Sequence, residues 1–274
     1  MPIWPPFASS DEYLMSARWK ADDLVRTRSE NENRYKRHFL KQAVCELRFP
    51  TLMELGEQRP PSSFVKALRK EYPILEMNNE FTVGIGPGNS SSSNIHILRS
   101  TKGGWSISLK ENALSIETTA YSGFDNFRER VLHVVDAAEK IIDSDFFTRI
   151  GLRYINILKS DDEEITNWIN PSLTGPITSE LFVGINDFGG RMQLVSDDGG
   201  CLFQHGIQFN RPKSDTPAKP DYLLDIDTYR SEVVLSDTAE AINVMHRQAF
   251  ELFDWSLSEK GRISLSTDTK NQRG

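Results

Sequence analysis

The strongest constraint on the fold is an alternating stretch near the middle of the chain, residues 149–156, which reads Arg-Ile-Gly-Leu-Arg-Tyr-Ile-Asn. In a β-strand, successive side chains point to opposite faces of the sheet. One face of this predicted strand therefore carries two arginines with a glycine between them. The other face carries Ile150, Leu152, Tyr154 and Asn156. The pattern predicts a strand that is mostly apolar on one side and cationic on the other.

The two arginines, Arg149 and Arg153, need partners because a guanidinium group is rarely buried without one. Carboxylates on neighbouring strands would give them a structural role, which is the more common one. An anion or a binding partner would give them a functional role. Such pairing could extend into a lattice of ion pairs across the sheet. Its other members would be Arg48 and the carboxylates Glu46, Glu117, Asp225 and Asp227.

The composition is that of a globular protein, with 38% hydrophobic and 26% charged residues in a chain of 274. No run approaches the roughly 18 apolar residues needed to span a bilayer, and the start of the chain lacks the pattern of a signal peptide. Cys45 and Cys201 lie in apolar, strand-like stretches, which favours reduced, buried thiols. We therefore expect a cytoplasmic location and no membrane association. The formal net charge of -7 disfavours nucleic acid as a partner.

The chain divides into four segments. Residues 1–41 are predicted to form a charged, partly helical N-terminal extension, and Trp4 and Phe7 at its aromatic start form a candidate arm for docking on a partner. Residues 42–148 and 149–262 are predicted to form two α+β units. Residues 263–274 are polar and are predicted to form a flexible tail.

Both units read in the same order: a strand, a short helix, several antiparallel strands and a long helix. The long helices are predicted at residues 124–145 and 238–258, where apolar residues recur at helical spacing. The clearest hairpin lies at residues 105–118, and a further strand is predicted at residues 181–185. Together these patterns predict an α+β fold in which two pseudo-repeated units share one extended antiparallel sheet, with the helices on one face. The open face is then the expected functional surface.

One resemblance to a known family rests on two stretches, Glu46-Leu47-Arg48-Phe49 and the motif at residues 149–156. They resemble a sporadically distributed, functionally uncharacterised family of bacterial proteins slightly shorter than this chain. The hairpin at Trp105 and residues 117–121 look like that family too, and the resemblance covers residues 40–260. It implies no activity, cofactor or catalytic residue. The patchy distribution is typical of mobile genes, which suggests a component of a multi-protein defence system or a toxin–antitoxin-like pair.

Motifs for common catalytic chemistry are missing from the sequence. It has no phosphate-binding Gly-x-x-x-x-Gly-Lys loop, no dinucleotide-binding glycine pattern, no His-x-x-x-His and no Cys-x-x-Cys. A strand that placed Cys201 and His205 on one face would separate them by roughly 13 Å, too far for a nucleophile and its base. Asp225 and Asp227 could share a hard cation, but pairing with Arg149 or Arg153 is favoured. We expect neither a cofactor nor a metal.

Three hypotheses about function remain. The first is a non-catalytic binding protein that docks a protein partner or holds a ligand, and the second is a nucleic-acid binder that uses the open face with its arginines and with Trp105 and Tyr121 as exposed aromatics. The third is an enzyme of unrecognised type, with carboxylates beside an arginine grip for an anion. The candidate binding residues are Arg149, Arg153, Tyr154, Asn156, Glu46, Arg48, Glu117 and Tyr121.

Overall fold

The computed structural model describes residues 18–32, 34–83, 90–159, 164–179, 181–208 and 220–266. Within these residues the chain forms nine β-strands and five α-helices. The strands are β1 (Leu40–Arg48), β2 (Ile74–Val83), β3 (Ser90–Arg99), β4 (Trp105–Leu109), β5 (Ala113–Thr118), β6 (Phe146–Leu158), β7 (Gly189–Ser196), β8 (Gly199–Gln208) and β9 (Asp221–Val234). The helices are α1 (Ser62–Leu68), α2 (Phe124–Ala138), α3 (Pro171–Thr178), α4 (Thr238–Trp255) and α5 (Glu259–Ser266).

All nine strands belong to one sheet, in the order β2-β3-β4-β5-β1-β6-β9-β8-β7. Every neighbouring pair is antiparallel. The pairing of β1 with β6 joins the strands of the first half of the chain to those of the second half. The predicted α+β class with a single extended antiparallel sheet is therefore confirmed, whereas the pseudo-repeat of the two halves stays a prediction.

The helices lie on one face of the sheet, and the core lies between the two layers. Strand β6 shows why, because Ile150 and Leu152 are fully buried towards the helices while Arg149 and Arg153, on the other side, are partly exposed. Helices α2 and α4 present the apolar stripes predicted from the sequence, with Val131 and Ile242 fully buried. None of the described helices is long and apolar enough to cross a membrane.

Several predicted elements need correction. The hairpin at residues 105–118 is confirmed, but α2 ends at Ala138 because the chain must turn back to enter β6. The strand predicted at residues 181–185 is wrong. Leu181 and Val183 are 83% and 96% exposed, and Gly184 has a φ of 72°, which interrupts extended backbone. The segment following α4 forms α5 and buries Leu265, so residues 263–266 belong to the folded body; residues 267–274 lie outside the described residues.

The N-terminal extension also differs from its prediction. Trp4 and Phe7 lie outside the described residues, and from residue 18 to the start of β1 the described part contains a single 3-10 turn, Lys20–Asp23, and no α-helix. This segment is well packed, since Ala21 is fully buried and Val25 is 5% exposed. Its charged side chains pair with residues of the folded body. The segment therefore packs on the body as an extended chain and not as the predicted helix.

Three ion pairs fasten the beginning of this segment: Arg18 pairs with Asp237, and two further pairs differ sharply in burial. Arg230 of β9 is fully buried, and its guanidinium donates to Asp22 Oδ1 at 3.0 and 2.6 Å and to the Tyr229 carbonyl at 2.8 Å. The second pair, Lys20 with Asp197 at 2.7 Å, has side chains that are 72% and 87% exposed.

We expect Asp22→Ala to lower the free energy of unfolding by about 3 kcal/mol, because it leaves the buried Arg230 guanidinium without its carboxylate. The matched control, Asp197→Ala, removes the exposed pair and should leave that free energy nearly unchanged, because solvent screens the pair. Chemical denaturation measures both. Similar losses in the two variants would contradict the assignment of Arg230 and Asp22 as the fastening of the segment.

A second buried polar group, His96 of β3, makes the fold sensitive to acid. It is 1% exposed, and its Nε2 has no hydrogen-bond partner among the described residues. Burial lowers the pKa of His96, although hydrogen bonds to the backbone of Leu55 and Glu57 oppose the shift. The folded protein therefore favours the neutral imidazole.

We expect the free energy of unfolding to fall as the pH decreases below about 6.5, the usual pKa of an unfolded histidine, since the unfolded chain then binds a proton that folded His96 resists. The contribution of neutral His96 to the free energy of unfolding is fully present above that pH and is lost as the pH falls below it. Thermal melts at pH 7.5 and 5.5 should show a smaller acid shift for His96→Gln than for the native chain. His133→Gln, at a half-exposed histidine, is the control and should retain the native shift. An unchanged shift in His96→Gln would contradict this account.

Candidate functional site

The open face of the sheet, opposite the helices, brings together the predicted charged residues as a lattice of ion pairs. Arg153 of β6 lies next to β9, and its Nε and a terminal nitrogen donate to the two carboxylate oxygens of Asp225 at 2.8 and 2.6 Å. This paired geometry is the strongest arrangement available to an arginine and a carboxylate. The Asp225 side chain is 7% exposed and that of Arg153 is 45% exposed. Asp225 is thus a buried carboxylate that depends on Arg153.

Arg149 spans three strands of the same face. It reaches Glu46 of β1 at 3.5 Å and Asp227 of β9 at 3.4 Å, and its guanidinium carbon lies 4.8 Å from the centre of the Tyr229 ring. Gly151 makes this position available, because a Cβ atom there would lie 2.5 Å from an Arg149 nitrogen. The glycine between the two arginines therefore lets Arg149 lie flat across its own strand.

The remaining predicted residues of this face are also paired. Arg48 donates to Glu46 at 2.7 Å. Glu117 accepts hydrogen bonds from Gln42 at 2.8 Å and from Ser106 at 2.7 Å rather than from an arginine. Arg149 and Arg153 thus make the predicted pairs with carboxylates on neighbouring strands, and their role as structural residues stays a prediction.

Burial and ion pairing also affect the ionisation of the carboxylates on the open face. Burial raises the pKa of Asp227, although Arg149 and Arg153 oppose the shift. Because each arginine of the lattice already faces a carboxylate, the open face gives little support to a nucleic-acid or anion site. Among the described residues no group of three or more His, Cys, Asp or Glu side chains could hold a metal ion.

Three of the predicted binding residues lie on the opposite side of the sheet. Tyr154 and Asn156 project from β6 towards the helices and are 7% and 5% exposed, and Tyr121 lies in the loop before α2. Alternation along β6 requires this separation from Arg153. Trp105, expected to be an exposed aromatic, is 8% exposed and stacks on Phe127 of α2. The predicted set therefore forms two sites rather than one.

Tyr121, Tyr154 and Asn156 line a cavity of about 590 Å³ on the helix side of the sheet. The helix-side cavity lies between β6, α4, the start of α2 and the chain that precedes β1. Its size is within the range of small-molecule sites, and aromatic rings form much of its wall. The other residues that line it are Glu32, Tyr35, Lys36, Arg37, His38, Leu40, Ser122, Gly123, Phe124, Asp125, Ile226, His246, Ala249, Phe250 and Phe253.

One wall of the cavity is the N-terminal strap, defined as residues 25–32 and 34–39. The strap crosses α4, where Arg28 pairs with Glu251 at 3.1 Å and the Tyr35 hydroxyl donates to Asp254. Burial and the hydrogen bond with Asp254 raise the pKa of Tyr35, so its hydroxyl stays protonated. Arg37 donates to Ser264 of α5. The strap is thus held along its length by polar contacts to the body.

A chain of polar groups runs from the strap into the cavity. Glu32 lies 3.3 Å from His246 Nε2, and His246 Nδ1 lies 2.9 Å from the Tyr154 hydroxyl. Tyr121 packs edge-to-face on Tyr154, with ring centres 6.1 Å apart, and it also lines the cavity. The imidazole stacks on Phe124, with ring centres 3.6 Å apart and planes inclined by 8°. We call Glu32, His246, Tyr154 and Tyr121 the polar chain.

The ends of the polar chain differ in their electrostatics. The hydrogen bond from His246 lowers the pKa of Glu32, which keeps this half-exposed carboxylate ionised. Burial raises the pKa of Tyr121 and of Tyr154, so both phenols remain neutral hydrogen-bonding groups rather than phenolates. The arrangement therefore places an ionised carboxylate and two neutral hydroxyl groups on the wall of the same cavity.

A comparable pair of side chains lies in the other half of the sheet. His205 Nδ1 is 2.7 Å from the Tyr222 hydroxyl, and the two rings stack with centres 6.0 Å apart. Neither residue lines the cavity. Tyr222 is therefore a matched control for Tyr154.

Sequence reasoning missed Glu32 and His246. The position of His246 beside the apolar stripe of α4 is the one signal in the sequence that this side chain is nearly buried. Glu32 lies in a run of polar residues that predicted a weakly structured segment. Only the crossing of the strap over α4 brings the two together.

Comparisons with models of protein families, with curated proteins and with solved structures find no match to this chain. The resemblance to an uncharacterised bacterial family consequently stays a prediction. Both cysteines are free and buried, and burial raises the pKa of each thiol to about 12, which makes them poor nucleophiles.

We expect Arg153→Ala to lower the free energy of unfolding by about 2 kcal/mol, because it leaves the buried Asp225 carboxylate unpaired; the partial exposure of Arg153 keeps the loss below that of a fully buried pair. Arg48→Ala is the control, since Arg48 is 54% exposed and Glu46 retains Arg149, and it should cost less than about 0.5 kcal/mol. Chemical denaturation measures both losses.

Adding Asp225→Asn to Arg153→Ala removes the unpaired charge and should restore part of the lost stability. If Arg153→Ala were as mild as Arg48→Ala, the structural role of Arg153 would be wrong.

Proposed function

We propose that this chain is a binding protein that holds a small, neutral or weakly charged aromatic ligand in the helix-side cavity. The observation that carries the proposal is the cavity itself: about 590 Å³ of space with rings on its walls and with Tyr121, Tyr154 and Asn156 among its polar lining groups. Ligand pockets in proteins typically combine this size with mainly apolar walls and a few polar groups that fix orientation.

The aromatic wall favours a planar ligand. Phe124 and Phe250 line the cavity from α2 and α4, and Tyr35 of the strap lies 5.8 Å from Phe250, ring centre to ring centre. Aromatic rings prefer offset or edge-to-face contacts at such separations, which a planar ligand can extend. Asn156 supplies both donor and acceptor groups, and its amide makes one long hydrogen bond of 3.5 Å to the Leu224 carbonyl.

Charges around the cavity nearly balance. Glu32 and Asp125 contribute carboxylates, and Lys36 and Arg37 contribute cations. This balance is the reason to propose a ligand whose recognition depends on stacking and hydrogen bonds rather than on a large net charge. A protein partner, and membership of a multi-protein system, stay predictions that the cavity neither requires nor opposes.

Binding of 2-acetylnaphthalene, a planar ketone that the cavity can enclose, tests the proposal by isothermal titration calorimetry. We expect the native chain to bind it at one site. Ala249→Met should abolish binding, because Ala249 lines the cavity and the longer side chain fills it. Because Ala249 is itself 1% exposed, a native-like melting temperature of this variant is required to show that the added atoms fill the cavity rather than overpack the core.

Ala241→Met on the same helix is the matched control. Ala241 is fully buried but does not line the cavity, so the same added atoms should lower stability by about 1–3 kcal/mol through overpacking and leave binding intact. Loss of binding in Ala241→Met alone, or no binding by the native chain, would overturn the proposed function.

A further inference from the structure

Asn156 is a buried polar group of the cavity wall whose hydrogen bonds are incomplete. Of the polar side chains that line the cavity, Tyr154, Asn156 and His246 are the buried ones, at 7%, 5% and 8% exposure. The Tyr154 hydroxyl and His246 Nδ1 lie 2.9 Å apart and satisfy each other. The Asn156 side chain makes one hydrogen bond, from Nδ2 to the Leu224 carbonyl at 3.5 Å, and none of the described residues donates to its Oδ1.

The contact with Leu224 determines which end of the Asn156 amide is left without a partner. Asn156 and Leu224 are directly opposite each other on β6 and β9, and Nδ2 faces the Leu224 carbonyl. Exchanging the two ends of the amide would place two acceptor oxygens 3.5 Å apart, which is unfavourable. The end that needs a further partner is therefore Oδ1, on a side chain that lines the cavity.

The aromatic part of the wall lies within reach of this oxygen. Tyr154 and Asn156 are two residues apart on β6, so they share a face of the sheet and are separated by roughly 7 Å. Tyr121 packs edge-to-face on Tyr154, with ring centres 6.1 Å apart. A flat ring that packs beside these two tyrosines can consequently bring its edge to Asn156.

The chemistry of an amide oxygen decides which edge it prefers. The oxygen only accepts hydrogen bonds, and a buried acceptor without a donor costs free energy. A ring N–H supplies the missing donor, whereas a ring oxygen at the same place would present a second acceptor. The donor end of the amide already has the Leu224 carbonyl, so the unmet requirement of this side chain is for a donor.

We propose that the cavity selects planar heteroaromatic ligands that carry a ring N–H, and that Asn156 Oδ1 is the group that accepts it. This inference rests on the proposed function and adds to it the class of ligand and the residue that determines specificity. Aromatic packing gives the ligand its place in the cavity, and the hydrogen bond to Asn156 fixes its orientation.

Indole and benzofuran test the proposal, because they have nearly the same shape and differ in one group, a ring N–H against a ring oxygen. Both are neutral, and isothermal titration calorimetry gives their affinities. We expect the native chain to bind indole about tenfold tighter than benzofuran, the effect of one hydrogen bond to a buried acceptor. Without an acceptor in the cavity the order would reverse, since the indole N–H loses its hydrogen bond to water on binding.

Two variants remove the acceptor. Asn156→Leu replaces the amide by an apolar group of similar size, and it should bind benzofuran at least as tightly as indole. Asn156→Ala removes the same amide without adding apolar atoms, and it should give the same order if the leucine variant fails to fold. Retained binding of 2-acetylnaphthalene, which has no N–H, shows that the cavity of each variant is intact.

Three control variants should keep the native preference for indole. Asn243→Ala removes an amide of α4 that accepts from Arg128 at 2.7 Å and does not line the cavity. Tyr154→Phe removes a hydroxyl of the cavity wall that His246 already satisfies. Tyr222→Phe removes the hydroxyl of the His–Tyr pair outside the cavity and serves as the control for Tyr154→Phe.

The outcomes separate this inference from the function on which it rests. A preference for indole that is lost in the Asn156 variants and kept in the three controls supports it. Binding of 2-acetylnaphthalene by the native chain without a preference for indole overturns the inference and leaves the cavity as a binding site. A preference that persists without the Asn156 amide, or that Tyr154→Phe abolishes and Tyr222→Phe does not, assigns the N–H to another acceptor and also overturns it. Absence of binding of all three probes overturns the proposed function and the inference together.

Discussion

The antiparallel pairing of β1 with β6 supports every other part of this structure. It brings the two halves of the chain into a single sheet, and it aligns Glu46 with Gly151 and Arg48 with Arg149. Since side chains alternate along each strand, the same register that assembles the ion pairs on the open face directs Leu47 and Ile150 into the core. A shift by one residue would place arginines among the helices and isoleucines in water.

The open face illustrates how a sheet without helices on one side can remain stable. Its central arginines and carboxylates pair across strands, and the apolar parts of the long side chains cover the backbone beneath them. Gly151 permits Arg149 to lie flat, and Gly200 plays a corresponding part for Tyr229, because a Cβ atom at Gly200 would lie 2.9 Å from the tyrosine ring. This face is organised by pairing, which explains why its arginines are poor candidates for gripping a ligand.

On the other face of the sheet, the strap forms one wall of the cavity. The strap contacts α4 through separate polar pairs, Arg28 with Glu251 and Tyr35 with Asp254. The strap also carries the carboxylate of the polar chain, so the same segment closes the cavity and supplies the charge at its outer end. The pair of buried Arg230 with Asp22 anchors the chain just before the strap.

Local patterns were sufficient for the sheet and for the long helices, because alternation and helical spacing of apolar residues depend only on neighbours in the chain. They predicted the two faces of β6, the hairpin formed by β4 and β5, and the pairing of Arg153 with a carboxylate. They could not reveal that Glu32 meets His246, since 214 residues separate them and the strap lacks a periodic pattern. Nor could they separate Tyr154 from Arg153 in function, because only the tertiary structure shows that one face carries paired ions and the other encloses a cavity.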